Sequence, residues 1–335
     1  MFVERNQNRV RKLVTVVLLY FTIGQLLAQD SQLSQFYSSP LYLAPSFAGA
    51  TDGDRVAVNY RNQWPALPKS FVTYVFSYGH YFPRLNSGLG VLVTREQAGT
   101  SQLATTNAGL LYSYNIIINS KWSVRPGLSF MYTERSLNFD KLVFGDELIS
   151  DDTGGSVAVP TLDRKADIDA AASVLAYNEQ YWVGLTVDHI LQPDRSLTGS
   201  ESLLPMKFSL FGGAKIPILR RYNKPSGQSL SPAFLYKQQG VNSQLDLGLY
   251  WYQMPLALGV WYRGIPVFKN QVSNDAIAFL VGYRLKNFTI GYSYDFTISQ
   301  LVGNTGGTHE LSINILFNQG LTERKKRRQI PCPDI

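Results

Sequence analysis

The sequence predicts an all-β fold, a transmembrane antiparallel β-barrel of about 14 strands, and three observations lead there. Apolar and polar residues alternate from Arg55 to Phe317 with little helical periodicity between. Past the N-terminus no stretch of about 18 apolar residues occurs, so transmembrane helices are excluded. Hydrophobic residues make up 45%, charged residues 16% and aromatic residues 13%, while the mean hydropathy is close to zero. A barrel reconciles these values, because alternate residues face lipid and a polar lumen and the average cancels. The 20 Tyr and 18 Phe suit aromatic girdles at two membrane interfaces. Composition alone also admits a soluble β-sandwich, and the connections between strands separate the two.

The first element, residues 1–28, reads as a secretory signal peptide. A basic region carries Arg5, Arg9, Arg11 and Lys12, an apolar region covers 13–27, and Ala28 is a small residue before Gln29. Residues 29–54 follow, neither alternating nor helical and rich in Ser, Pro and aromatic side chains. They are expected to form a periplasmic strap or a plug folded into the lumen.

The barrel itself is expected over 55–317, with strands starting near Arg55, Phe71, Gly88, Leu103, Trp122, Asp167 and Tyr181, then Met206, Leu230, Gln244, Leu256, Asp275, Phe288 and Thr308. The clearest strand sets Trp122, Val124, Leu128, Phe130 and Tyr132 on one face against Ser123, Arg125, Gly127 and Ser129 on the other. Pro126 within it predicts a bulge or an unpaired amide. An even strand number returns both termini to one side, expected to be the periplasm. Connections after even strands are short, at 178–180, 253–255 and 285–287; those after odd strands are long, at 134–166, 189–205, 264–274 and 296–307. The segment 219–228 is the exception. A sandwich has no reason to alternate in this way.

Residues 318–335 form a basic tail, expected in the periplasm after Phe317 closes the last strand. Arg324, Lys325, Lys326, Arg327 and Arg328 outweigh Glu323 and Asp334 there. The formal charge of +7 therefore sits mostly at the two ends, which argues against a nucleic-acid-reading face. The run 324–328 suits an acidic periplasmic partner or an anionic lipid surface. The apolar, proline-constrained 330–335 suits a partner's groove.

Chemistry is sparse. The single cysteine, Cys332, admits no intramolecular disulfide and makes no thiolate cluster. No zinc spacing, dinucleotide fingerprint or nucleophile elbow is present, and no cofactor is expected. His309 beside Glu310 and His189 beside Asp188 are the two places where a hydrolase site is conceivable. Arg55, Arg61, Arg125, Asp169, Asp188, Lys207, Asp246, Asp295 and Glu310 share inward parity. They read as lumen ion pairs, or alternatively as the lining of a hydrated pore.

Several motifs carry a family likeness: Gln29-Asp-Ser-Gln-Leu-Ser-Gln-Phe-Tyr37, Pro40-Leu-Tyr-Leu-Ala-Pro-Ser-Phe-Ala-Gly49 and Tyr60-Arg-Asn-Gln-Trp-Pro65. With Gly88-Leu-Gly90, Lys141-Leu-Val-Phe-Gly-Asp146 and Ile330-Pro-Cys-Pro333 they resemble the PorP/SprF family of type IX secretion and gliding proteins of Bacteroidota. The resemblance implies a non-enzymatic outer-membrane barrel of a Gram-negative bacterium. It further implies work with secreted cargo or adhesins that carry a C-terminal sorting domain, and association with periplasmic secretion components or a peptidoglycan-binding protein. The alternative function is a diffusion channel or small-molecule transporter. Phe36, Tyr37, Pro40, Tyr42, Pro45, Phe47, Arg61, Asn62, Gln63, Trp64 and Pro65 become partner-binding candidates on this basis, beside the basic run. Trp64 is expected at the extracellular rim, gripping cargo or belonging to the aromatic girdle.

Overall fold

Period-2 alternation with bulky outward side chains produces strands whose backbone groups are all satisfied only when the sheet closes on itself. The computed structural model describes residues 30–51, 53–67, 70–99, 103–138, 163–197, 201–218, 220–221, 224–225, 227–265, 276–298, 305–318 and 330–332. From Ser31 onward they belong to one compact unit.

The chain forms a closed, 14-stranded antiparallel barrel. Its strands are β1 Asp54–Gln63, β2 Phe71–Phe82, β3 Ser87–Ala98, β4 Leu103–Tyr114, β5 Ser123–Ser136, β6 Arg164–Tyr177 and β7 Tyr181–Asp188. They continue as β8 Lys207–Ala214, β9 Gln228–Gln239, β10 Asn242–Gln253, β11 Leu256–Ile265, β12 Ala276–Leu285, β13 Phe288–Thr297 and β14 Thr308–Phe317. Each pairs with its sequence neighbours, and β1 closes on β14 from Asp54↔Phe317 to Gln63↔Thr308. Closure leaves no edge for another chain to extend. Every expected strand start lies within a few residues of an observed one.

The pleat sorts residues as the alternation requires. On β5, Leu128, Phe130 and Tyr132 are exposed on the outer face, while Ser123, Arg125 and Ser129 are buried. The lumen, rather than a space between two sheets, holds the buried side chains. Pro126 produces no bulge: the β4–β5 ladder runs Ser113↔Gly127, then resumes at Ile116↔Val124 in the same register. The missing proline N–H interrupts pairing without displacing the strand.

Connections at the end where β1 begins are short at 178–180, 254–255 and 286–287, as expected. Two connections depart most clearly from the alternation. The β8–β9 connection carries small extensions, with Ile216↔Leu230 and Arg220↔Pro225 paired. The β9–β10 connection, on the side expected to carry long loops, is only Gly240 and Val241, with Gly240 at φ +57°. A glycine takes that left-handed conformation without steric cost.

Residues 31–51 run inside the barrel. They hold one helical turn, α1 Pro40–Leu43, and a 3-10 turn, Pro45–Phe47. Ser31 Oγ donates to Glu96 Oε1 near the end of β3 at 2.6 Å. Seventeen residues later, the Ala48 carbonyl accepts from Ser113 Oγ near the opposite end, at 2.8 Å. The segment therefore traverses the lumen before the chain enters β1. The signal-peptide region, the motif at 141–146 and the basic run 324–328 lie outside the described residues.

Candidate functional site

The lumen has two unlike halves, and the segment 31–51 matches both. Strands β13, β14 and β1 contribute polar side chains. Arg61 Nη1 pairs with Glu310 and Nη2 with Asp295, each at 3.1 Å, and Arg263 Nη1 reaches Asp295 at 2.7 Å. All four side chains are buried, so each charge depends on the others: an isolated ion in such a site is costly. The segment is keyed into this cluster by Ser34. Its hydroxyl accepts from Arg61 at 2.6 Å and from Arg263 at 2.7 Å, and donates to Asp295 at 2.6 Å. Gln35 extends the key, donating to Ser293 Oγ at 3.1 Å and accepting from Ser312 Oγ at 2.6 Å. A second pair, half-buried Lys237 and buried Asp246 at 3.1 Å, lies beside Gln32, whose Oε1 accepts from Lys237 at 2.8 Å.

Strands β7 to β11 contribute apolar and aromatic groups. Phe36 packs edge-on against Trp261 at 4.9 Å between centroids, and Phe47 stacks on Phe211 at 5.8 Å. Tyr37 is 1% exposed; its hydroxyl accepts from the Trp182 indole N–H at 3.1 Å. Burying such aromatic side chains stabilises the arrangement by roughly 2–3 kcal/mol each.

The wall also contacts the segment's main chain. Glu310 accepts from the backbone N–H of Ser34 at 2.7 Å and of Gln35 at 3.1 Å. Arg125, fully buried, donates to the carbonyls of Ser46 at 3.0 Å and Ala48 at 2.5 Å. Arg55 donates to the Ser38 carbonyl at 3.1 Å, and Ser173 Oγ accepts from the Ser46 N–H at 2.8 Å.

Below the segment, at the end where β1 begins, a cavity of about 160 Å³ is lined in part by Leu41, Phe47, Arg55, Arg284, Ile330 and Cys332. Ile330 and Cys332 pack against the lumen cluster and Pro331 is buried. Residues 330–332 of the proline-constrained peptide expected to suit a partner's groove thus occupy this barrel's own mouth. Their apolar side chains find there the cover that a lone exposed tail lacks.

The candidate residues divide accordingly. Phe36, Tyr37, Pro40, Pro45 and Phe47 are buried in the lumen, where their contacts are with the wall; Tyr42 is partly buried and donates to the Ser31 carbonyl at 2.7 Å. Arg61 belongs to the buried ion cluster. Asn62 and Gln63 end β1, and Trp64 begins the β1–β2 connection, half-buried at φ +60°. Its N–H donates to the Gly307 carbonyl at 2.9 Å and its ring meets Phe71 edge-on at 5.8 Å. Pro65 is exposed beside it.

Sequence reasoning missed Arg263, Lys237 and Ser34. The first two lie on strands whose inward faces also carry Trp261, Ala233 and Leu235, so polarity does not mark the lumen side. The hydrolase readings find different partners. His309 turns outward to the Tyr292 hydroxyl at 2.8 Å while Glu310 points inward, and Asp188 pairs with Lys207 at 3.2 Å. His189 Nδ1 lies 2.5 Å from Asp169 Oδ2. Among the described residues no group of three or more His, Cys, Asp or Glu side chains is arranged to hold a metal ion.

A family model described as "Type IX secretion system membrane protein PorP/SprF" matches residues 26–315. No curated protein matches the chain. Among solved structures, the chain resembles the toluene transporter TbuX of Ralstonia pickettii with a TM-score of 0.51 at 12% identity, over 84% of this chain and 94% of that one. It also resembles the outer membrane protein Omp33 of Acinetobacter baumannii, with a TM-score of 0.46 at 8% identity, over 80% of this chain and all of that one. At such identities the likeness concerns the fold. A closed barrel with an apolar outer band and this family match belongs to an outer membrane.

Proposed function

Because the chain belongs to the PorP/SprF family of type IX secretion system membrane proteins, we propose that it is a non-enzymatic outer-membrane component that anchors cargo or helps secrete it. The cargo carries a C-terminal sorting domain, and the barrel contacts periplasmic machinery. The observation that carries this reading is the filled lumen: residues 31–50 are bonded to both halves of the wall, which favours an anchoring role over free diffusion. The exposed rim at Pro65, with Asn62, Gln63 and Trp64 beside it, is the proposed cargo contact. The basic run Arg324, Lys325, Lys326, Arg327 and Arg328 is the proposed contact with an acidic periplasmic component. In this reading residues 1–28 are removed as a signal peptide, 29–54 act as the plug, 55–317 form the barrel, and the tail 318–335 is periplasmic.

Crosslinking in intact membranes followed by pulldown tests the role: recovery of secretion components or a large secreted protein is expected, and recovery of unrelated porins alone would sink it. Planar-bilayer recording tests the diffusion-channel alternative, which the charged residues of inward parity suggest. The purified barrel is expected to pass no steady current, and a stable open conductance would favour the channel.

A further inference from the structure

The wall of the lumen is built to hold a polypeptide by its main chain. Backbone N–H groups of Ser34, Gln35 and Ser46 donate to Glu310 and Ser173, and carbonyls of Ser38, Ser46 and Ala48 accept from Arg55 and Arg125. Two wall glycines let the backbone come this close. A Cβ on Gly88 would stand 2.0 Å from the Ala48 carbonyl oxygen, and one on Gly127 would stand 2.4 Å from the Ser46 nitrogen. These contacts read peptide groups, which every sequence carries. Side chains are read as well: the Ser34 hydroxyl at the ion cluster, the amides of Gln32 and Gln35, and two adjacent aromatics against Trp182, Tyr250 and Trp261.

Charge narrows the ligand further. Residues 31–51 contain no Asp, Glu, Lys or Arg. The wall's buried carboxylates are matched by its own guanidinium and ammonium groups, with Arg61 and Arg263 on Asp295 and Glu310, and Lys237 on Asp246. A charged residue on the occupant beside these pairs would be left without a partner in a buried site.

The geometry points to the lumen as a binding track for an uncharged polypeptide that folds into short turns and bears two consecutive aromatic residues, occupied here in cis by residues 31–50. The same track accepts such a segment supplied in trans. This deepens the secretion reading by naming polypeptide as the class of ligand that enters the barrel.

The test makes the resident segment exchangeable. A protease site inserted beside Gly53 in the full chain allows residues 31–50 to be severed after folding. The cut segment is expected to stay with the barrel through gel filtration. It is then released in moderate urea, with heat-modifiable migration showing the barrel intact, and a fluorescent peptide of residues 31–50 is added on dilution. Saturable uptake is expected. Unlabelled peptide with Leu43→Met is expected to compete as well as the parent, since its main chain is unchanged. Peptide N-methylated at Ser34 and Ser46 is expected to compete at least about tenfold more weakly, because two N–H donors are lost. Should the barrel unfold with the segment, the same peptide is supplied while a chain lacking residues 31–50 refolds, and uptake is read in the same way. No saturable uptake by either route, or equal competition by the N-methylated peptide, overturns the proposal. Loss of crosslinks to secretion components would sink the secretion role and leave a positive exchange result standing.

Discussion

Glu310 on β14 and Arg61 on β1 stand directly opposite each other across the seam that closes the barrel, and their side chains pair at 3.1 Å. The pair therefore joins the last strand to the first and, through the amides of Ser34 and Gln35, joins both to the segment in the lumen. Glu310→Ala leaves two guanidinium groups, Arg61 and Arg263, sharing the one carboxylate of Asp295. Neither can shed its proton. The expected loss is about 3–5 kcal/mol, as for other broken buried pairs. Urea unfolding followed by tryptophan fluorescence measures it, with Glu310→Gln as the milder comparison that keeps the shape. Equal midpoints for wild type and Glu310→Ala would show that the seam does not depend on this pair.

Gly88 tests whether the segment or the wall closes the lumen. A side chain at this position meets the Ala48 carbonyl at 2.0 Å, a contact that backbone movement alone can relieve. The β3 strand has its ladder partners on both sides, so the segment is the part expected to yield. Gly88→Val is therefore expected to keep the heat-modifiable migration of a folded barrel while raising planar-bilayer conductance above that of wild type. A folded variant that remains electrically silent would place the closure elsewhere.

Most of the wall was legible in the sequence because lipid on one side and a polar lumen on the other impose a two-residue period. That period predicts Arg125 and Glu310 inward, and both are buried there. It fails on β9 and β11. There the lumen side carries Ala233, Leu235 and Trp261 against the segment, so both faces are apolar and Lys237 and Arg263 lose their parity signal. The segment itself has no period to read, and strap and plug remain equivalent on pattern alone. Its lack of charge from residue 31 to 51 was the usable clue. A strap in water has no need to exclude charged residues, whereas a lumen with mutually paired ions does. The seating of Ile330 and Pro331 was beyond reach, because proline-constrained apolar tails suit any groove equally.

The β7–β8 connection carries a pH-dependent fastening. Asp194 is held at a pKa of about 2, first by its hydrogen bond from Lys165 and then by the backbone N–H groups of Ser196 and Ser202. A carboxyl with a depressed folded pKa contributes its stability in full above its ordinary value near 3.8 and loses it as the pH falls through 2. Amide exchange at Ser196 and Ser202 is expected to stay slow down to about pH 4 and to accelerate between there and pH 2 relative to the strands. Asp194→Asn is expected to exchange fast throughout. Protection that ignores both the acid and the substitution would remove Asp194 from the account.

The position of Cys332 is chemically accessible to test, since it is the chain's only cysteine. It packs with Ile330 against the lumen cluster, lining the cavity beneath Leu41 and Phe47. A bulky maleimide is expected to reach the half-buried sulfur mainly when the peptide leaves this seat. Each 1.4 kcal/mol of seating free energy slows labelling about tenfold, so folded protein is expected to react at least about tenfold more slowly than protein in urea. Ile330→Ala removes most of the apolar side chain that packs against the lumen cluster and is expected to speed labelling with the barrel still folded, because the seat loses that buried contact. Equal rates for folded and unfolded wild type would mean that the peptide spends its time in solvent, and the mouth would then be open to another occupant.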